Sequence, residues 1–121
     1  MDTTPLAQTR AGTARHVRGL LGALAGRPGL EVRELFFPGE GRAATLVRDT
    51  WWYLSGLPRA SRGAEVLHCT TFRGPLRARP PVVITVHDLA FLRHPETFPV
   101  WHRLSGRTLA GPVARAARRT G

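Results

Sequence analysis

The pair His87-Asp88 follows directly on the β-branched run Val82-Val83-Ile84-Thr85-Val86, a placement that could do chemistry. Open α/β sheets bind ligands beyond the carboxyl ends of their strands. An imidazole and a carboxylate at such an end can hydrogen-bond sugar hydroxyls or phosphate oxygens, and histidine titrates near neutrality. A structural role fits the same residues: a histidine closing the strand and an aspartate capping the next turn. His68 ends a second short apolar run, Ala64–Cys69, and so points toward the same edge. It equally suits a hydrogen-bonded core position. A third candidate is the loop Gln8-Thr9-Arg10-Ala11-Gly12-Thr13-Ala14-Arg15. A glycine-containing loop that opens a helix offers unpaired N–H groups and the positive end of the dipole to an anion or a hydroxyl-rich ligand. A tight turn that packs helix on sheet explains the same glycine.

Other chemistries find no support. One glycine does not make a phosphate-binding P-loop, and the six-residue dinucleotide fingerprint is missing. His16, His94 and His102 share no metal-ligand spacing. No nucleophile-elbow sequence is present. The single cysteine, Cys69, excludes an intrachain disulfide and reads as a buried, inert thiol. The cluster Trp51-Trp52-Tyr53 could form a stacking platform, but aromatics at helical spacing more often pack a core and its rim.

The elements that must hold these residues follow from periodicity. Val17, Leu20, Leu21 and Leu24 recur at helical spacing over Thr13–Ala25, with Thr13 as the expected N-cap and Gly26 and Pro28 as the stop. Leu30–Phe37 alternates like a strand and ends at Pro38-Gly39. Residues 42–57 suit a helix, Ala64–Cys69 a short buried strand, and Val82–Val86 a parallel strand covered on both faces. A loop spans 89–99. A helix over 100–119 carries Trp101, Leu104, Leu109 and Val113, with a kink at Gly111-Pro112. This order predicts an α/β fold, a Rossmann-like parallel sheet with flanking helices. It also predicts an incomplete one, since no strand is evident before the first helix and the sequence stops after a helix.

Composition narrows the setting. The chain has 121 residues, enough for one domain, and its 42% apolar content suits a folded protein. Its net charge of +10 rests on 18 basic residues that are all arginine. Such an excess is the usual footprint of an anionic partner. The absence of lysine and asparagine, and the abundance of Ala, Gly and Pro, resemble GC-rich codon usage and weaken that inference. The arginines are scattered from Arg10 to Arg119, so attraction to phosphate or anionic lipid is expected rather than dedicated nucleic-acid recognition. The N-terminus lacks the pattern of a signal peptide, and no run approaches the ~20 apolar residues of a membrane span. The expected compartment is the cytoplasm.

The stretch Val82–Pro99, from Val-Val-Ile-Thr-Val-His-Asp to Glu-Thr-Phe-Pro, resembles the N-terminal domain of bacterial family-4 glycosyltransferases, retaining enzymes of the GT-B fold. The opening Asp2–Leu6 and the stretch Gly12–Leu21 resemble the same family's first loop and helix. Ala64–His68 is similar to its strand ending in histidine. The blocks occur in the family's order and span most of the chain.

The resemblance implies a domain on the acceptor side of a two-domain enzyme. The loop at Gly12 and Thr13 would face the interdomain cleft, near the acceptor and the donor phosphates. His87 would contact the transferred sugar, Asp88 would orient that loop, and Arg15 and His68 would stand at the cleft edge. The partners implied are a nucleotide-sugar donor, as co-substrate rather than cofactor, and a carbohydrate or glycolipid acceptor. Peripheral contact with the inner membrane face fits the same picture. The sequence departs from the pattern at Ala14, where the family has a second glycine. It also lacks the C-terminal donor-binding half with its basic pair and paired-glutamate motif. The chain alone is therefore expected to be inactive as a transferase. Two other readings stand beside this one: a small basic module for anionic lipid or nucleic acid, and an inactive gene fragment.

Overall fold

A computed structural model describes residues 1–8 and 10–87. The predicted loop over 89–99, the predicted helix over 100–119 and Asp88 lie outside the described residues. Within them the chain is a mixed helix-and-strand structure around a small parallel ladder.

The Val17–Leu24 stripe forms α2, Gly12–Ala25, preceded by a single helical turn, α1, Pro5–Gln8. Ala14 and Val17 are fully buried on its inner face. The N-cap is Ala11, in extended conformation, and not Thr13. The Arg15 N–H reaches the Ala11 carbonyl at 3.2 Å, so the first turn closes before Thr13, which lies inside the helix. The Ala11 side chain makes no cap hydrogen bond.

The two strands are shorter than their apolar runs: β1, Leu67–Cys69, and β2, Val82–Ile84. They pair in parallel with Leu67 opposite Val82 and Cys69 opposite Ile84. Backbone bonds from Leu67 to the Pro81 carbonyl and from Thr85 to the Cys69 carbonyl, both 2.9 Å, extend the ladder at each end.

A strand before the first helix was not expected, yet residues 1–3 supply its equivalent. Asp2 bridges Leu35 on one side and Cys69 on the other, both in parallel. Its N–H donates to the His68 carbonyl at 2.8 Å, and the Thr3 N–H donates to the Leu35 carbonyl at 2.8 Å. Main-chain bonds join this stub to its neighbours, so its polar side chains carried no strand signal. The strand expected over Leu30–Phe37 contracts to a single bridge at Leu35. The resulting order is Leu35, Asp2, β1, β2, all running the same way.

One face of this ladder is packed by a continuous helical rod. It consists of α3, Gly41–Val47, a π-helical stretch Arg48–Gly56, and α4, Leu57–Ala60. The widened middle lets Trp52 and Tyr53 reach the sheet, where they form the core with Leu57, Leu67, Cys69 and Val82. Leu57 and Leu67 are 0% and 1% exposed, and each burial stabilises by roughly 1.5–3 kcal/mol. Trp51 is left on the rim, half-exposed. The rod is tied to the loop before β2 through Asp49, which takes Arg48 at 2.9 Å and Arg73 at 3.4 Å.

Strand alternation sends His68, Val83 and Thr85 to the opposite face, where α2 lies. Coverage there is partial: Val83 is 48% exposed and Val66 50%. The expectation that the Val82–Val86 run is buried on both faces fails for this reason. No helix among the described residues is long and apolar enough to cross a membrane.

Candidate functional site at the carboxyl edge of the sheet

Parallel strands bring their carboxyl ends to one edge. Thr70 follows β1 there, Thr85 and His87 follow β2, and the chain from Thr3 leads across to the first turn of α2. Of these, His87 is exposed but held by a backbone contact. Its Nε2 lies 2.9 Å from the Thr70 carbonyl oxygen. A carbonyl can only accept, so Nε2 carries the proton and donates, and the neutral ring keeps its lone pair on Nδ1. His16, one turn into α2, meets His87 edge to face, with ring centroids 5.0 Å apart and planes at 82°.

His68 sits beneath this pair on the same face. Its Nε2 pairs with Thr85 Oγ1 at 2.8 Å. Burial, the positive N-terminus and His16 together hold its pKa below the ordinary histidine value. The structure thus supports the hydrogen-bonded reading of His68 and also sets it near His16.

Gly12 opens α2 in open space: a Cβ there would meet nothing within 4 Å. The glycine is not required by helix-to-sheet packing, and the space beside it is open. Thr13 and Arg15 lie in the same first turn, Thr13 half-buried and Arg15 exposed. Of the predicted site residues, Gly12, Thr13 and Arg15 lie in the helix whose His16 meets His87, and His68 lies in β1, bonded to Thr85 beyond β2. Asp88 lies outside the described residues.

Asp2, Thr70 and His16 were not anticipated. Asp2 Oδ1 accepts from the Thr4 N–H at 3.0 Å and the Thr4 hydroxyl at 2.6 Å, and Thr4 Oγ1 in turn accepts from the Phe37 N–H at 3.2 Å. The Thr70 hydroxyl donates to the Asp2 carbonyl at 2.9 Å. Burial raises the Asp2 pKa, partly opposed by its bonds to Thr4 and Tyr53. Asp2 thus sets the path of the chain as it leaves the sheet toward α2. The motif Asp-x-Thr, an aspartate accepting from the residue two ahead, was the sequence signal for this turn. Nothing local signalled the contact of His16 with His87.

Cys69 is fully buried, and burial raises its thiol pKa far above neutrality, which keeps it protonated and inert. A cavity of about 610 Å³ lies elsewhere. It is lined by Met1, Arg33, Glu65 and other residues at the amino ends of the strands, and shares only His68 with the carboxyl edge. Among the described residues no group of three metal-ligating side chains comes together. No family model, curated protein or solved structure matches the chain.

Proposed function

We propose that this chain is the acceptor-side, Rossmann-like domain of a retaining glycosyltransferase, working in the cytoplasm with a donor-binding half that this sequence does not contain. The observation that carries the reading is the juxtaposition of a hydrogen-bonded His87 with His16 of α2, the helix that opens at Gly12 in open space. These belong to the sequence blocks that resemble the family's first helix and histidine motif, and the parallel ladder brings them together.

In this role the His87 Nδ1 lone pair accepts a hydrogen bond from a sugar hydroxyl, with the ring held by the Thr70 carbonyl. The first N–H groups of α2 favour a phosphate or a hydroxyl-rich group beside it. The transfer itself breaks the bond from the donor sugar's anomeric carbon to the leaving phosphate and forms one to the acceptor oxygen, whose proton passes to the departing phosphate. Holding both partners across one cleft supplies most of the catalytic effect in such a reaction. His16 and Asp2 are positioning residues, the first beside the ring and the second at the base of the loop.

The test is saturation-transfer NMR on the chain with nucleotide-sugars and simple glycosides. Sugar protons should saturate with the native chain, and the effect should vanish in His87→Ala while circular dichroism is unchanged. Saturation that survives His87→Ala, or is missing for every sugar, overturns the reading. The purified chain should transfer no sugar, and measurable turnover would remove the need for a second half.

A further inference from the structure

We infer that a groove at the amino edge of the sheet docks an acidic, leucine-bearing segment of a second protein. The groove, of about 340 Å³, is lined by Arg59 and Arg62, from the end of α4 and the turn after it, and by Arg77 and Arg79, from the loop before β2. The two segments meet because each leads into one of two parallel neighbouring strands. The turn is held in place by Arg33, whose Nη2 donates to the Ala60 carbonyl at 2.8 Å and to the Arg62 carbonyl at 3.0 Å.

All four arginines are exposed, and no acidic side chain lines the groove. Among the described residues the salt bridges belong to Asp49, which pairs with Arg48 and Arg73, so these four guanidinium groups are not neutralised there. Guanidinium forks match carboxylates bidentately, so the missing complement is a run of acid. Neither the rest of this chain nor a second copy supplies it. Residues 88–121 set Arg93, Arg103, Arg107, Arg115, Arg118 and Arg119 against Asp88 and Glu96, and a second copy brings a net charge of +10. Both are repelled, and the occupant belongs to another protein.

Apolar side chains beside the charge define the segment further. Leu54 lines the groove and is 50% exposed, and Leu76, next to Arg77, is 40% exposed. Trp51, one turn before the groove residue Ser55, is 53% exposed. Tryptophan and arginine are the residues that anchor protein interfaces, and leucines between carboxylates cover the one while pairing the other. Nucleic acid would leave the two leucines and the indole uncovered. A bilayer presents a broad, level surface, whereas a peptide can enter the concavity on which these arginines converge. Because strands are parallel, this edge faces away from His87, and docking here leaves the carboxyl edge open. The inference does not depend on the glycosyltransferase reading.

Fluorescence anisotropy of a labelled synthetic peptide, titrated with the full chain, tests it. The probe repeats the unit Glu-Leu-Leu-Glu; one control carries serine for leucine and another lysine for glutamate. The probe should bind saturably, the serine control much more weakly and the lysine control not at all. Arg77→Gln with Arg79→Gln should weaken binding about tenfold, the worth of two ion pairs, while the equal charge removal Arg18→Gln with Arg27→Gln should have a much smaller effect. Leu54→Ser should weaken it about fivefold. A blue shift of tryptophan emission on binding should shrink in Trp51→Phe. Equal affinity for the serine control, equal loss in the two arginine pairs, or tighter binding of single-stranded RNA or phosphatidylglycerol vesicles than of the probe at matched salt would each overturn the inference.

Discussion

The two faces of the parallel ladder are built from adjacent residues yet serve opposite ends. Leu67 and Cys69 turn into a dry core of Trp52, Tyr53 and Leu57, where the thiol is inert. His68, between them, turns to a half-open face where it meets Thr85 and lies near His16. A sheet with one sealed face can hold polar, partly hydrated side chains on the other in fixed positions. Apolar burial is concentrated on the first face and polar, hydrogen-bonded side chains on the second.

Substitutions can break that division. Leu67→Ala should have the largest effect, lowering stability by about 2–5 kcal/mol, read as a shift of the urea midpoint. Gly56→Ala comes next. A Cβ there would lie 2.6 Å from Trp52 Cε3 and 2.9 Å from Trp51 Cζ3. Pushing the indoles aside should cost about 1–3 kcal/mol and change near-ultraviolet circular dichroism. Val83→Ala, one residue from the core position Val82 but half-exposed, should cost under about 1 kcal/mol. A loss as large as that of Leu67→Ala would show that both faces are sealed.

A pH titration sharpens the same contrast. The His68 pKa is lowered in the folded chain, so the unfolded chain takes up its proton first as acid is added. The stability this group contributes is full above its ordinary value of 6.5 and is lost as pH falls through the folded value. Comparing urea midpoints of native and His68→Gln chains across that range should show a smaller acid loss in the variant. Equal slopes would mean that His68 is solvated alike in both states.

Much of this architecture could be read from spacing. The apolar stripe of α2 marked its helix to within one residue, the helical rod began where expected, and both strands lie inside their apolar runs. The aromatic cluster divides into core and rim as its helical spacing suggested. What escaped was held by the backbone or by distant partners. Asp2 joins the ladder through N–H and C=O groups that every residue has, and the Leu30–Phe37 alternation is used only at Leu35. The arginines looked scattered because Arg59 and Arg79 are joined only by topology. Likewise His16 and His87 lie far apart in sequence, and no local period could pair them.

The hydrogen bond from His87 to the Thr70 carbonyl has a consequence for selectivity. With Nε2 donating to that oxygen, Nδ1 is the ring nitrogen left to accept, and it favours ligands that bring a hydrogen, such as alcohols. One backbone oxygen thus decides which of the two ring nitrogens is offered to a ligand, and with it the kind of ligand the edge can take.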